Sequence, residues 1–246
     1  MVVASFTLAR YPVRRVPAVL VARRPAKDTP GLRFVRRLGT GRGAAMGLGG
    51  DLRRWATFAV WDDEAALDAF LASDDPAPGA TEAWTVRLAP LGARGSWGGH
   101  RPLPTERSAT DGPVAVLTRA RLRVRSWPAF YRAVPPVEAA LHAAPGVLAV
   151  VGVGEAPVGL QATFSLWRST AEMEAFAAAP GPHRDVARRA RAEGWFAEDL
   201  FARFRPYAST GTWGERDPLR AGGNGSVGTA AARRRSSAGT TGNSIP

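Results

Sequence analysis

Apolar and polar positions alternate weakly over residues 2–10, with Val3, Ser5 and Thr7 on one side and Ala4, Phe6 and Leu8 on the other. A period of two sends successive side chains to opposite faces, so this stretch predicts a strand. Tyr11-Pro12 breaks the pattern, and residues 13–22 read as a short helix ending before Pro25. Residues 32–38 predict the next strand, which runs into glycines from Gly39 to Gly50. Strand 55–61, helix 63–72 and strand 82–90 complete a β-α-β-β-α-β order. The order then returns as strand 114–123, helix 127–142, strands 148–155 and 162–167, helix 171–179 and strand 200–207. An extra helix at 182–193 precedes that last strand.

The two halves also match residue for residue. Ala162-Thr163-Phe164-Ser165-Leu166-Trp167 repeats Ala56-Thr57-Phe58-Ala59-Val60-Trp61, 106 residues on, and Ala171 to Phe176 answers Ala65 to Phe70. Each half closes on a Gly-x-Trp-Gly turn, Gly95-Ser96-Trp97-Gly98 and Gly211-Thr212-Trp213-Gly214, 116 residues apart. The second half therefore carries ten more residues between landmarks, and they fall around Pro180 to Ala190. Gly152-x-Gly154 likewise answers Gly39-x-Gly41. The predicted fold class is α+β: tandem ferredoxin-like repeats forming a single-chain core that resembles a dimeric α+β barrel. The boundaries follow as a first repeat at 1–100, a linker at 101–112, a second repeat at 113–215 and a disordered tail at 216–246, rich in Gly, Ser and Thr. Because one chain supplies both halves, a monomer is allowed but not required.

Composition narrows the chemistry. There is no cysteine, which removes disulfides, thiolate-bound zinc, iron–sulfur clusters and a thiolate-ligated haem. The net charge is +12, of which the tail supplies five Arg against one Asp, and Lys27 is the single lysine. An arginine-rich, alanine-rich chain reads first as a solvated basic face, though such a face also suits an acidic electron donor or anionic lipid. No apolar run approaches the ~18 residues that a membrane helix needs, and no basic n-region precedes the first strand. The expectation is a cytoplasmic protein. The glycines after residue 39 lack the Gly-Lys-Ser/Thr of a phosphate loop and the spacing of a dinucleotide fingerprint, so they read as a connection between strands.

The three histidines differ in setting. His100 follows two glycines at the start of the linker and is expected in solvent; His142 lies four residues after Glu138 and predicts a surface pair. His183 shares a helical face with Val186, Ala187 and Ala190, while Arg184, Arg188 and Arg191 take the opposite side. Pro182 suits a first helical turn, and the positive helix N-terminus favours the neutral imidazole that a metal requires. On spacing alone a buried histidine bonded to a carbonyl is the commoner outcome, and a site of two histidines and a carboxylate is poorly supported. Glu198-Asp199 reads as a solvated strand entry, since neighbours on a strand face opposite ways.

The block Gly194-Trp195-Phe196-Ala197-Glu198-Asp199-Leu200-Phe201-Ala202-Arg203-Phe204-Arg205, preceded by Pro182-His183, resembles the spheroidene monooxygenase family of carotenoid biosynthesis. Leu117-Thr118-Arg119-Ala120, Gly39-Thr40-Gly41-Arg42-Gly43, Thr163-Phe164-Ser165-x-Trp167 and Trp97-Gly98-Gly99 match as well, so the resemblance spans residue 2 to about residue 215. It implies a haem-dependent, O2-using enzyme that oxidises a linear carotenoid end at an allylic carbon to a keto group. Electrons would come from an external donor such as reduced ferredoxin. It also implies kinship with haem proteins of the dimeric α+β-barrel type, whose proximal histidine lies in the second repeat. That role falls on His183, as haem- and metal-binding residue, and Arg119 becomes a candidate catalytic residue, pairing with a propionate or standing distally.

The residues agree with these implications. Without cysteine the iron needs an imidazole or phenolate, and without a dinucleotide fingerprint the electrons arrive from outside. A long apolar substrate needs an apolar cleft, and Trp and Phe recur at matching points of both halves. Such a substrate also leaves room for a peripheral membrane contact. An RNA-binding pair of ferredoxin-like modules would need an aromatic stacking strand that neither half contains, so no nucleic-acid partner is expected. A cofactor-free monooxygenase, or a non-catalytic barrel that binds a hydrophobic ligand, remains the alternative.

Overall fold

The structure is a computed structural model, describing residues 1–21, 28–41 and 49–222. Its strands are β1 (Val3–Arg10), β2 (Leu32–Thr40), β3 (Asp51–Trp61), β4 (Glu82–Gly95), β5 (Val114–Leu122), β6 (Val147–Gly154), β7 (Leu160–Trp167) and β8 (Phe196–Gly211). Its helices are α1 (Val16–Val21), α2 (Glu64–Ser73), α3 (Trp127–His142), α4 (Thr170–Ala178), α5 (Pro182–Ala192) and α6 (Pro218–Gly222). The strands close into one antiparallel barrel in the order β1-β3-β2-β6-β7-β5-β8-β4. Within each half the local order is the same, β4-β1-β3-β2 and β8-β5-β7-β6. The fold is therefore α+β.

Two seams join the halves. Along the wide one, β4 and β8 pair from Trp84 opposite Gly211 to Gly95 opposite Leu200. The narrow one sets Gly39 opposite Gly154 and Thr40 opposite Val153, and the Gly41 amide donates to the Gly152 carbonyl at 2.8 Å. The two glycine motifs of the sequence thus meet each other; residues 42–48, most of the glycine-rich connection, lie outside the described residues.

The barrel interior is a packed core. Phe6 of the first half stacks on Phe164 of the second, with ring centroids 3.9 Å apart and planes at 6°. Phe58 lies parallel to Trp97 and edge-on to Phe204. With Trp84 these rings are fully buried and fill the space that the eight strands enclose. Of the recurrent aromatics, Phe58 and Phe164 therefore plug the barrel rather than line a cleft.

Helices cover the outside. In the first half α2 buries Leu67 and Phe70 on Trp61; in the second α4 buries Met173 beside Trp167. Trp61–Phe70 and Trp167–Phe176 are matched ring pairs, at 5.0 and 5.3 Å. The caps match too: the side chain of Asp63 accepts the Ala66 amide, and that of Ser169 accepts the Glu172 amide.

Several strands outrun the pattern that predicts them. β3 begins at Asp51, β4 runs to Gly95 and β8 spans 196–211. Backbone pairing, of β3 with β2 and of β4 with β8, extends these strands past the residues that bury side chains, and alternation carries no trace of that. The helix expected over 13–22 is a 3-10 turn at Val13–Arg15 followed by α1, and residue 22 lies outside the described residues. The linker 101–112 is tied to β4 by bonds from Ala93 to Pro104 and from Ser108 to Leu91. The tail expected to be disordered from 216 is folded as far as Gly222. Asp217 accepts from Trp84 Nε1 at 3.0 Å and from Ser209 Oγ at 2.7 Å, and Leu219 of α6 packs on the core. Residues 223–246 lie outside the described residues.

Candidate functional site

α5 begins at Pro182, behind Gly181, and its strongly polar sequence leaves Arg184, Arg188 and Arg191 in solvent. Ala190 is buried and Val186 half-buried, as the helical spacing predicts, but Ala187 is exposed. His183 is half-buried, with its ring 4.9 Å from the Phe176 ring of α4. Its Nδ1 is buried and bonds nothing among the described residues. Burial holds the imidazole below its ordinary pKa, so it is neutral at pH 7. A neutral, half-buried imidazole with an unused nitrogen is the donor that a metal or haem iron takes. Among the described residues no carbonyl bonds that nitrogen, as one would in an ordinary core histidine.

α3 carries the apolar positions Phe130, Val134, Val137 and Leu141, yet none of its residues is fully buried. α5 packs chiefly against α3 and α4 rather than on strands. On the outward face of β5, Thr118 is exposed although its face neighbour Val116 is buried. Thr118 stands in register with Thr163 on one side and Phe201 on the other. At the start of α3, Tyr131 accepts from Gln161 Nε2 at 3.0 Å and from the Gly159 amide at 3.1 Å, while Gln161 Oε1 is buried without a partner among the described residues.

Arg119 lies elsewhere. It alternates with Ala115 and Leu117 on the inward face of β5, so the sheet separates it from the outward-facing side chains. Its guanidinium is buried at one end of the barrel, ion-paired with Glu198 and, at 3.0 Å, with Glu155, which also meets Arg36 at 3.2 Å. Glu198 further accepts from Ser96 Oγ at 2.7 Å and from the amides of Gly99 at 2.8 Å and Gly98 at 3.1 Å. Burial alone would raise this carboxyl, but those bonds and Arg119 outweigh it and hold the pKa at about 2. Glu198 is therefore no solvated strand entry, whereas its neighbour Asp199 is exposed. Strand alternation separates the two, and it is Glu198 that turns inward.

The structure accordingly does not bring His183 and Arg119 together. His100 is exposed, in a bridge with Trp97, and His142 is exposed with Nδ1 2.9 Å from the backbone carbonyl of Glu138. Sequence reasoning missed Phe176 as the partner of His183. The signal was present, since Phe176 occupies the repeat position of Phe70. It also missed Glu155 and Gln161, which nothing local distinguishes from surface residues.

A closed antiparallel barrel flanked by helices is also the fold of a crystallised aldoxime dehydratase, which the chain resembles with a TM-score of 0.56 at 12% identity, covering 89% of this chain and 87% of that one. No protein-family profile matches the sequence. Curated relatives are more specific. The chain is 36% identical over 233 residues to the spheroidene monooxygenase of Rhodobacter capsulatus, covering 89% of this chain and 96% of that protein. It is 38% identical over 193 residues to the spheroidene monooxygenase of Rubrivivax gelatinosus, covering 77% of this chain and 74% of the relative. The chain belongs to the spheroidene monooxygenase family.

Proposed function

We propose that the protein is a haem-dependent monooxygenase that inserts oxygen into a long apolar carotenoid-like substrate, with His183 as the residue that holds the iron. The observation that carries this reading is the buried ring nitrogen of a neutral His183, which bonds nothing among the described residues and lies beside the Phe176 ring. The residues fit the group: the chain offers no thiolate, and His183 is the one histidine of the three that faces inward. Haem, when bound there, supplies the activation of O2. The chain's own residues do the rest. Phe176 braces the imidazole, so the ring keeps one orientation. Val116, Phe201 and the apolar face of α3 bury hydrocarbon and exclude water from it. Electrons come from an external donor such as reduced ferredoxin, for which the arginines of α5 offer an electropositive approach.

We assign Arg119 to the end of the barrel rather than to the reaction, where it ties elements of both halves. We also read the chain as two ferredoxin-like repeats in tandem, an assignment supported by the matched strand orders, ring pairs and caps. Because a carotenoid dissolves in lipid, a peripheral membrane contact belongs to the same reading; among the described residues no helix is long and apolar enough to cross a membrane.

The test is an absorbance spectrum after adding hemin to the wild-type and His183→Ala proteins. A Soret band that requires His183, followed by oxidation of an added carotenoid, is the expected result. Equal bands and equal turnover in both proteins would remove His183 from the role. No band in either would favour a cofactor-free monooxygenase or a ligand-binding barrel.

A further inference from the structure

Gln161, at the start of β7, is 5% exposed, and only one end of its amide is bonded. Its Nε2 donates to the Tyr131 hydroxyl at 3.0 Å and to the Pro157 carbonyl at 3.4 Å. A carbonyl only accepts, so the nitrogen faces Pro157 and the orientation of the amide is fixed. The buried Oε1 is left with no donor among the described residues. Tyr131 is in the complementary position. Its oxygen accepts from Gln161 and, at 3.1 Å, from the Gly159 amide, so both lone pairs are used. Its own hydrogen meets no acceptor among the described residues.

A free acceptor and a free donor thus sit side by side, and their surroundings are aromatic. Phe130 meets the Tyr131 ring edge-on at 5.3 Å, and the Trp127 indole lies against Gly159. Gly159 has a φ of 82°, and a Cβ there would come within 2.9 Å of the indole, so only glycine lets the ring close this wall. Trp127 Nε1 is a second buried donor with no partner among the described residues. No ionised side chain among them bonds to Gln161 or Tyr131. A carboxylate would set its oxygens against Oε1, and an ammonium would face the donors. A hydroxyl gives one hydrogen and accepts others, which matches both. Access runs along the sheet. On the outward face Gln161 pairs with Ala120 and lies diagonal to Thr118, about 7–8 Å away, and Thr118 is exposed.

We propose that Gln161 and Tyr131 form a hydroxyl-recognition site, which takes an alcohol group carried on an apolar body. The alcohol donates to Gln161 Oε1 and accepts from Tyr131, and its hydrocarbon packs against Trp127 and Phe130. Its role rests on the reading of the protein as an enzyme for a long apolar substrate, to which it adds a polar end. From Gln161 the outward face of β7 passes Thr163 and Ser165 to Trp167, about 20 Å at ~3.3 Å per residue. Trp167 meets Phe176, the neighbour of His183. The alcohol is therefore held at the opposite end of that face from His183, where it anchors the substrate rather than reacts.

Ligand-observed NMR on the full chain without hemin tests this, with cyclohexanol, cyclohexanone and methoxycyclohexane as probes. The three have similar bodies, but only the alcohol has a hydrogen to give Gln161. Cyclohexanol is expected to bind saturably, with a Kd on the order of 1 mM for so few atoms. The ketone and the ether should bind at least about tenfold more weakly, since each leaves Oε1 buried and unpaired. Gln161→Met, which keeps the length and removes the acceptor, should erase the preference for the alcohol. Tyr131→Phe should weaken cyclohexanol several-fold. The order of the three probes on the wild type decides even where a variant folds poorly. No saturable binding, which would leave the cluster to a buried water, overturns the proposal. So do equal binding of the three probes, a preference that survives Gln161→Met, and cyclohexanol affinity unchanged in Tyr131→Phe. The Soret band is a separate readout: its absence would leave the alcohol preference standing, and loss of the preference would leave the band standing.

Discussion

Gly95 and Gly211, 116 residues apart, hold the same backbone position at opposite ends of the β4–β8 seam. Each has positive φ, 85° and 79°, and at each a Cβ would lie 2.0 Å from a carbonyl oxygen, that of Asp199 or that of Ala83. The next residue then donates to that same carbonyl: Ser96 to Asp199 and Thr212 to Ala83, both at 2.9 Å. No side chain fits between glycine and carbonyl, so the Gly-x-Trp-Gly turns are a steric requirement of strand exchange between the halves. Gly95→Ala or Gly211→Ala should each cost at least about 3 kcal/mol, combining a left-handed conformation with a backbone clash. Urea midpoints would check this, with Gly99→Ala as the comparison, since there φ is also positive but nothing lies within 4 Å. If Gly95→Ala were no worse than Gly99→Ala, the close approach would not matter.

Much of the architecture was readable because it occurs twice. The repeated Ala-Thr-Phe-x-x-Trp segments became β3 and β7, and their tryptophans found Phe70 and Phe176 at matched distances. α3 follows its apolar period over the full 127–142 despite Pro135 and Pro136. What stayed hidden depends on contacts far apart in sequence. Glu198 looks like any charge at a strand start until β8 meets the Ser96–Gly99 turn, 99 residues away at Gly99. Asp217 sits in a polar tail, and only the barrel's Trp84 and Ser209 give it a fixed place. His183 was visible as an inward-facing residue.

The Glu198 network gives a pH dependence with a definite sign. Its folded pKa of about 2 lies below the ordinary value of 4.5. The unfolded chain therefore binds the proton more readily between those values. The stability it contributes is present in full above pH 4.5 and is lost as pH falls toward 2. Glu198→Gln should flatten that acid limb and lower stability at pH 7 by about 1–3 kcal/mol, since Arg119 loses a charged partner. Arg119→Ala should cost more, about 3–5 kcal/mol, because it leaves two carboxylates short of a cation. Denaturant titrations from pH 7 to pH 3 would show both effects. An acid limb unchanged in Glu198→Gln would place the titrating group elsewhere.

His183 and Phe176 should separate ligand binding from folding. Phe70→Ala in the first half removes a buried ring and should cost about 3–5 kcal/mol. Phe176, at the matched position, is only partly buried, so Phe176→Ala should cost less than half as much. Its larger effect should fall on hemin, whose binding should weaken about tenfold as the imidazole loses its brace, in line with the weight of supports behind metal ligands. His183→Ala should abolish the Soret band while leaving the urea midpoint nearly unchanged. Equal hemin affinity in wild type and Phe176→Ala would show that the ring contact does not orient His183.

The proposed peripheral membrane contact can be tested at one end of the first half. Val13, Leu20, Val21 and Leu52 are 68, 55, 79 and 64% exposed; Met1 and Val124 are the other large apolar side chains so exposed among the described residues. The Tyr11 amide donates to the Arg53 carbonyl at 2.7 Å, which keeps Val13 and Leu52 at the same end, and exposed Arg14 stands among them. Inserting each such side chain into the interface gains about 1.5–3 kcal/mol, and each arginine near anionic lipid adds about 1 kcal/mol. The double variant Leu20→Ser, Val21→Ser should thus lower partitioning onto phosphatidylcholine vesicles containing phosphatidylglycerol by at least about tenfold, with little change in stability. Vesicle co-sedimentation measures this directly. Omitting phosphatidylglycerol should weaken the wild type as well, and raising salt should weaken it further. Undiminished binding of the double variant would move the contact to another face, whereas loss in both tests would mark α1 as the edge that meets the membrane.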